Sequence, residues 1–563
     1  MKYRGNWWRY RMRCRVILAC CAAAGCLAAD QAASWSRRGN VFAFRLRDGG
    51  AELEWMSASA FRFERTWGRA PERRPPITGE AVQADVKDLG SRLEFSTRYL
   101  VVEMEKSGLR LRVKNGEGQV LSEMLGLRRE RAGVALEYRA GEKEKYYGLG
   151  PRTAADLDLR GQRVRATTPL LISSAGYGEF QRAPGAYVYD LAQSQKGRRR
   201  VKIEGGDHLE CFFYYGPAPK EILEEHVALG APGAELRASD FGILEAGQVP
   251  KDVARLPGGG AASWEGLRDS VRALMHASFS GMLVAGFDLA PYLAAQGALA
   301  ERGVQFGSVV PLVWASGAGG DRSGNGPAYG KAMELRRRLV PFLATYATEA
   351  RERGFPLARP LGMQFPSDQE AWKRTEEFML GDELLIAPVC SAEVKQTVYL
   401  PQGIWTDLRS NQVYKGRQII EVQAAPDELP IFVRNGTILP MAPVAAGEPA
   451  ALHYFPKLAA EFFVHEEGLD DFSQFHAGPA LEIVRLEIES LKERTYEWVV
   501  HHSGPCRRVA QVDGTEYREA ASFRALKPGA WFYDRATDNL HIRAQAKAGQ
   551  DLIINLWLEV VWN

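Results

Sequence analysis

Between residues 238 and 316 the chain carries the carboxylates Asp240, Glu245, Asp252 and Asp288 and the indoles Trp264 and Trp314. Two carboxylates that face one substrate can divide between them the work of acid and of base or nucleophile. The flat apolar faces of indoles suit the apolar faces of sugar rings. Each residue also has a plainer reading. Asp240 and Asp252 suit turns or solvated faces, Asp288 at a strand end can hold neighbouring backbone, and Trp264 at a helix start can belong to the core. Trp405, in LPQGIWTD, reads as packing within a small β domain.

Metal chemistry finds little support. The nine histidines are scattered with no HExxH spacing. His501 and His502 are adjacent in a strand-like run, which sends them to opposite faces. HEEGLDD (465–471) resembles a calcium loop only in its charge and reads as a solvated turn. Of seven cysteines, Cys14, Cys20, Cys21 and Cys26 lie near the N-terminus, leaving Cys211, Cys390 and Cys506. Three widely spaced thiols make neither a disulfide framework nor a zinc site. No metal and no other cofactor is expected.

At 563 residues the chain exceeds a single core, and its 46% apolar and 25% charged residues are ordinary for a globular protein. Lys2, Arg4, Arg9, Arg11, Arg13 and Arg15 precede the apolar run VILACCAAAGCLAA (16–29), with no acidic residue before Asp30. This predicts an export signal over residues 1–29 and no transmembrane span. Cleavage is expected near Ala28 or Ala29. AAGC (23–26) offers a weaker alternative, lipoprotein anchoring through Cys26. Either places the mature chain outside the cytoplasm, periplasmic or extracellular. Loss of the six basic residues turns a formal charge of +3 into about −3, and no basic tract of the kind that binds nucleic acid remains.

From 34 to 235 the pattern is β. LEFSTRYLVVEMEKSGLRLRV (93–113) reads as two alternating runs around Ser107-Gly108, and short runs recur through VKIEGGDHLECFFYYG (201–216). A large antiparallel sandwich is predicted. Residues 236–382 read as α/β. Leu267, Val271, Leu274 and Met275 fall at helical spacing behind Ser263 as N-cap, with Gly281 as a stop, and MLVAGFDL (282–289) follows as a buried strand. A second helix is expected over about 328–353, bent at Pro341 and ended by Gly354, before the strand-like PLARPL (356–361). Strands return in two small β domains, 383–445 and 446–563.

Eight segments carry a resemblance: YYGLG (146–150), LDLRG (157–161), PLLISSAGYGEF (169–180), FSGMLVAGFD (279–288), RPLGMQFPSD (359–368), EFMLGDELLIAPV (377–389), VYLPQGIWTD (398–407) and LPIFVRNGTILPM (429–441). In this order they resemble glycoside hydrolase family 31, which includes α-glucosidases and α-xylosidases. The resemblance implies a galactose-mutarotase-like β-sandwich, a (β/α) TIM-type barrel and two C-terminal β-sandwich domains. It also implies a retaining mechanism, with two carboxylates roughly 5–5.5 Å apart as nucleophile and acid.

At the expected site the resemblance breaks. ASDFGILEAG (238–247) passes almost directly to RLPGGGAASW (255–264), so the segment that carries the family's nucleophile is missing. The family's Gly-Asp-Asn acid run falls on Gly258, Gly259 and Gly260, which places Gly259 at the acid/base position. In RGVQFGSVVPLVWAS (302–316), Trp314 and Ser316 stand where the family has a sugar-site Arg and His, and Leu289-Ala290-Pro291 replaces its glycine pair after Asp288. A complete barrel takes about 250 residues, whereas 236–380 supplies about 145, so a partial barrel is expected.

These observations predict an exported α-glycosidase homologue without recognisable catalytic carboxylates. Asp288, Trp264 and Trp314 remain as candidate substrate-binding residues, and an oligosaccharide or glycan as candidate partner. Two other readings stay open: an active α-glycoside hydrolase whose carboxylates have relocated, and a structural or interaction protein that uses the sandwich faces. The sugar and the oligomeric state are left undetermined.

Overall fold

The computed structural model describes residues 34–71, 81–229, 236–245, 247–251, 253–257, 261–316, 326–445, 447–469 and 471–559. The chain divides into two units, Met1–Gly150 with Asp158–Gly230, and Pro151–Leu157 with Ala231–Asn563.

In the first unit an eight-stranded and a nine-stranded antiparallel sheet enclose one apolar core. Alternate residues of each strand point inward. Phe42, Phe44, Trp55 and Phe61 thereby meet Phe95, Val102, Val113 and Leu136 from the other sheet, with the Phe42 and Phe95 rings 4.8 Å apart. Charged pairs are buried within the unit, among them Arg62 with Glu54 and Glu64, and Arg199 with Glu179. Arg199 donates to both oxygens of Glu179 at 2.8 and 2.7 Å and lies 4.0 Å over the Tyr138 ring.

Ser107-Gly108 turns a hairpin, Leu100–Glu105 onto Leu111–Asn115. The run before it breaks, because Thr97 Oγ1 accepts from the Leu100 amide at 3.2 Å and makes Arg92–Ser96 a separate strand. Arg198–Glu204 and His208–Tyr215 are neighbours in the chain but lie in different sheets.

The second unit begins with a four-stranded parallel sheet in the order Ile243–Glu245, Leu312–Ala315, Ala285–Asp288, Ala254–Arg255. Residues between 241 and 258 thus supply both outer strands. The helix Trp264–Phe279 starts where Ser263 Oγ accepts from the Gly266 amide at 3.0 Å and ends before Gly281 at φ 72°. Its Leu267, Val271, Leu274 and Met275 are buried. The helix expected over 328–353 is two, Gly326–Arg338 and Val340–Arg353. Pro341 has no N–H to continue the first and suits the opening turn of the second. Gly354 at φ 74° closes that helix. PLARPL contributes only Ala358–Pro360, which pairs antiparallel with Phe378–Leu380 and so stands outside the parallel sheet.

Beyond it, a six-stranded and a two-stranded antiparallel sheet share a core of Met379, Leu385, Val398, Trp405 and Phe432. Trp405 is fully buried and donates Nε1–H to the Pro401 carbonyl at 2.8 Å. A six-stranded mixed sheet and a five-stranded antiparallel sheet complete the unit. Within HEEGLDD, Glu467, Gly468 and Leu469 turn the chain after Ala460–Glu466, a strand that pairs with Asp471–Ala480. Glu466 accepts from Ser473, Lys492 and Arg494 at 2.7, 3.1 and 2.8 Å. Among the described residues no group of three or more metal-ligating side chains converges, and no helix is long and apolar enough to cross a membrane.

Candidate functional site

The parallel sheet sorts its side chains by register. Asp288 is level with Trp314, Gly286 with Leu312 and with Arg255, and Leu244 with Trp314. In-register residues of parallel strands share a face, and successive residues alternate. Leu244, Arg255, Gly286, Asp288 and Trp314 therefore lie on one face. Phe287 and Val313 lie on the other, where the Gly297–Val309 helix packs, with Phe287 4.9 Å from Phe306.

Asp288, half-buried at the end of its strand, is held as an acceptor. Its Oδ1 takes the amides of Ala290 at 3.0 Å and Ser316 at 3.2 Å, and its Oδ2 takes the Ser316 hydroxyl. These bonds tie the ends of two neighbouring strands together. Both carboxylate oxygens are thus occupied as acceptors within the fold.

Trp314 is buried at 3% exposure. The Arg255 guanidinium lies 5.2 Å over its ring, and its indole covers Gly286. Arg255 escaped the sequence reading, although alternation along a strand paired with Ala285–Gly286 would have placed it on this face. Trp264 is half-buried at the first position of its helix.

The remaining carboxylates are dispersed. Asp240 Oδ2 accepts from the Arg237 amide at 2.8 Å and caps the short turn Ala238–Phe241. Glu245 is level with Ala315, so parity sets it on the face opposite Asp288, with one strand between them. Two strand spacings amount to about 9.6 Å, well beyond the separation of a retaining pair. Asp252 and the glycines 258–260, with the acid/base position at Gly259, lie outside the described residues.

The helix from Gly297 to Val309 is anchored away from this face. Arg302 donates to the carbonyls of Ala424, Ala425 and Glu428 at 2.7, 2.9 and 2.7 Å, and Gln305 Nε2 to Pro426 at 2.6 Å.

Known proteins match this chain in sequence and in fold. The family model described as "Glycosyl hydrolase family 31 C-terminal domain" matches residues 354–439. Alpha-glucosidase 2 of Bacillus thermoamyloliquefaciens is 30% identical over 300 residues, covering 48% of this chain and 38% of that protein. Neutral alpha-glucosidase AB of Mus musculus is 34% identical over 321 residues, covering 52% and 33%. The chain thus spans well under half the length of these curated relatives. A GH31 dextranase of Flavobacterium johnsoniae, solved as a mutant with isomaltotriose, superposes with a TM-score of 0.79 at 15% identity, over 94% of this chain and 100% of that one. The cycloalternan-forming enzyme of Listeria monocytogenes, solved with a pentasaccharide substrate, gives 0.78 at 14% identity, over 94% and 77%. At such identities the likeness establishes the fold.

Proposed function

The chain is a homologue of glycoside hydrolase family 31, and from that premise we propose that it is an exported, carbohydrate-associated protein that does not hydrolyse glycosides. On this reading residues 1–29 are removed as a signal peptide, 34–235 are the N-terminal sandwich, 236–382 a partial barrel, and 383–445 and 446–563 two β domains. The four parallel strands are what remains of the barrel, and their inner face is the one that carries Asp288 and Trp314.

The observation that carries the reading is the position of Asp288. It is held by Ala290 and Ser316, and the nearest strand-end carboxylate in the register, Glu245, lies on the opposite face. Retaining hydrolysis needs two carboxylates across one bond, and Gly259 supplies none at the acid position. The isomaltotriose and pentasaccharide held by the two solved relatives make α-glucans the first ligands to test.

The test is turnover. The purified protein is expected to release no aryl alcohol from aryl α-glucosides or α-xylosides above the protein-free control, and Gly259→Asp is expected not to restore release. Hydrolysis by the wild type that disappears in Asp288→Asn overturns the reading in favour of relocated carboxylates. A glycan array then separates carbohydrate binding from a purely structural role. A fusion of residues 1–33 to a reporter tests export, and Cys26→Ser tests lipid anchoring.

A further inference from the structure

The five-stranded sheet of the second unit turns one face to the core and the other to water. Along Ala460–Glu466, Asp471–Ala480 and Ile483–Ser490, the residues Phe462, Phe475 and Leu486 are buried, and the alternate residues Phe463, His476 and Arg485 point the other way. On this outer face a cleft of about 330 Å³ opens where Ala459, Gly478 and Ala480 leave space beside longer neighbours. The volume lies in the range of small-molecule sites, roughly 300–1,000 Å³.

Glu461, His476, Arg485 and Glu487 line the cleft. Glu461 is level with His476 and His476 with Glu487, which makes one row across the strands, while Arg485 stands in the next row, level with Gly478. His476 lies 3.9 Å from Glu461, and Arg485 lies 3.9 Å from Glu487, both beyond hydrogen-bond distance. None of the four side chains is hydrogen-bonded to a described residue, so a ligand there replaces water rather than a protein partner. Phe463, two positions along its strand from Glu461, is 39% exposed, and its ring lies 6.3 Å from that of His476.

The mixture of groups selects the ligand. Two carboxylates stand with one guanidinium and one imidazole, so an anion meets repulsion from Glu461 and Glu487, and a cation from Arg485. A hydroxyl both donates and accepts, and a set of neighbouring hydroxyls satisfies all four side chains. A sugar ring adds an apolar face that suits the Phe463 ring.

We propose that this cleft binds a short stretch of neutral glycan, with Glu461 and Glu487 accepting from sugar hydroxyls, His476 and Arg485 donating to them, and Phe463 against the apolar face of a sugar ring. The proposal rests on the reading of the chain as carbohydrate-associated, and none of the cleft residues belongs to the parallel sheet that carries Asp288.

Titration calorimetry on the full mature chain uses the neutral sugars isomaltotriose, maltotriose and xylotriose, with the anionic trigalacturonate as contrast. At least one neutral trisaccharide is expected to bind, with an affinity little changed by salt, and trigalacturonate is not. Arg485→Ala with Glu487→Ala, and separately Phe463→Ala, should each weaken binding by about tenfold or more. The melting temperature should stay unchanged, since all three side chains are at the surface. Arg128→Glu, at an exposed position of the first unit, should leave affinity as it was. If the double variant does not fold, Phe463→Ala carries the comparison. Trigalacturonate binding as tightly as the neutral sugars, or full affinity in the cleft variants, overturns the proposal. Where that full affinity is lost instead in Asp288→Asn, the carbohydrate reading stands and the sugar belongs to the parallel sheet. Failure of all three neutral sugars to bind overturns the proposal and the carbohydrate reading together.

Discussion

The Trp314 indole covers Gly286 on the neighbouring strand so closely that a β-carbon on Gly286 would lie 2.4 Å from its Cζ3. The large residue and the absent side chain are one packing unit, on the same face as Asp288.

Gly286→Ala is therefore expected to destabilise by about 1–3 kcal/mol through overpacking, and Trp314→Ala by about 3–5 kcal/mol through the cavity it leaves. In the double variant the alanine at 286 should cost little more, since the atoms it strikes are gone. Denaturant unfolding of the four proteins gives this coupling directly. Simple additivity would show that the two residues do not constrain each other.

Asp288→Ala removes the acceptor for two backbone amides and a hydroxyl, and should cost about 1–3 kcal/mol. Asp288→Asn keeps an oxygen for the amides while the Ser316 hydroxyl rotates to accept, so its cost should be smaller. Equal stability of wild type and Asp288→Ala in urea would remove the structural role assigned to this carboxylate.

Glu383 is buried, and burial pushes its carboxyl up to about 8, with the charge on Asp382 adding to the rise. The native state then keeps a proton between the ordinary glutamate range and about pH 8 that the unfolded chain releases. The Glu383 contribution is present at low pH and is lost as pH rises through that window. Glu383→Gln retains an acceptor for the Tyr346 hydroxyl and the Asp382 amide, at 2.6 and 3.0 Å. It should be near neutral at about pH 5 and stabilising at about pH 8. Parallel stability curves for the two proteins would refute this.

His453 and His501 titrate with the opposite sign. Arg338 can only donate to His453 Nε2, at 3.5 Å, so the His453 proton sits on Nδ1 and faces His501 Nε2 at 3.0 Å. His501 Nδ1–H in turn faces Asn411 Oδ1 at 3.0 Å. Burial pulls His453 down to about 3 and His501 well below its ordinary value. The unfolded chain takes up these protons below about pH 6.5 and the native state does not. Stability should therefore fall as pH drops, by up to about 1.4 kcal/mol per pH unit for each histidine. His453→Gln should flatten the acid limb between about pH 6 and 4, and an unchanged slope would contradict the assignment.

Much of the local structure was legible in the residues. The Trp264–Phe279 helix begins at Ser263 and stops before Gly281, as capping and periodicity require. Gly354 closes the later helix and Trp405 is core. The bend at Pro341 was foreseen, though it divides two helices rather than bending one. All of these depend on groups a few positions apart, whose contacts are nearly complete in the chain itself.

Strand partnership was not legible. PLARPL read only as strand-like within the α/β stretch, and nothing in it showed that Ala358–Pro360 would run antiparallel to Phe378–Leu380. Any extended run offers the same N–H and C=O groups to any neighbour, so distant parts of the chain decide the pairing. The same holds for the candidate site. The sequence by itself determined which side chains are available there, a glycine at 259, one aspartate at a strand end and two indoles. Only the tertiary structure decided that Asp288 meets Ser316, that Arg255 covers Trp314 and that Glu245 faces away, because a one-residue change of register exchanges the two faces of a strand.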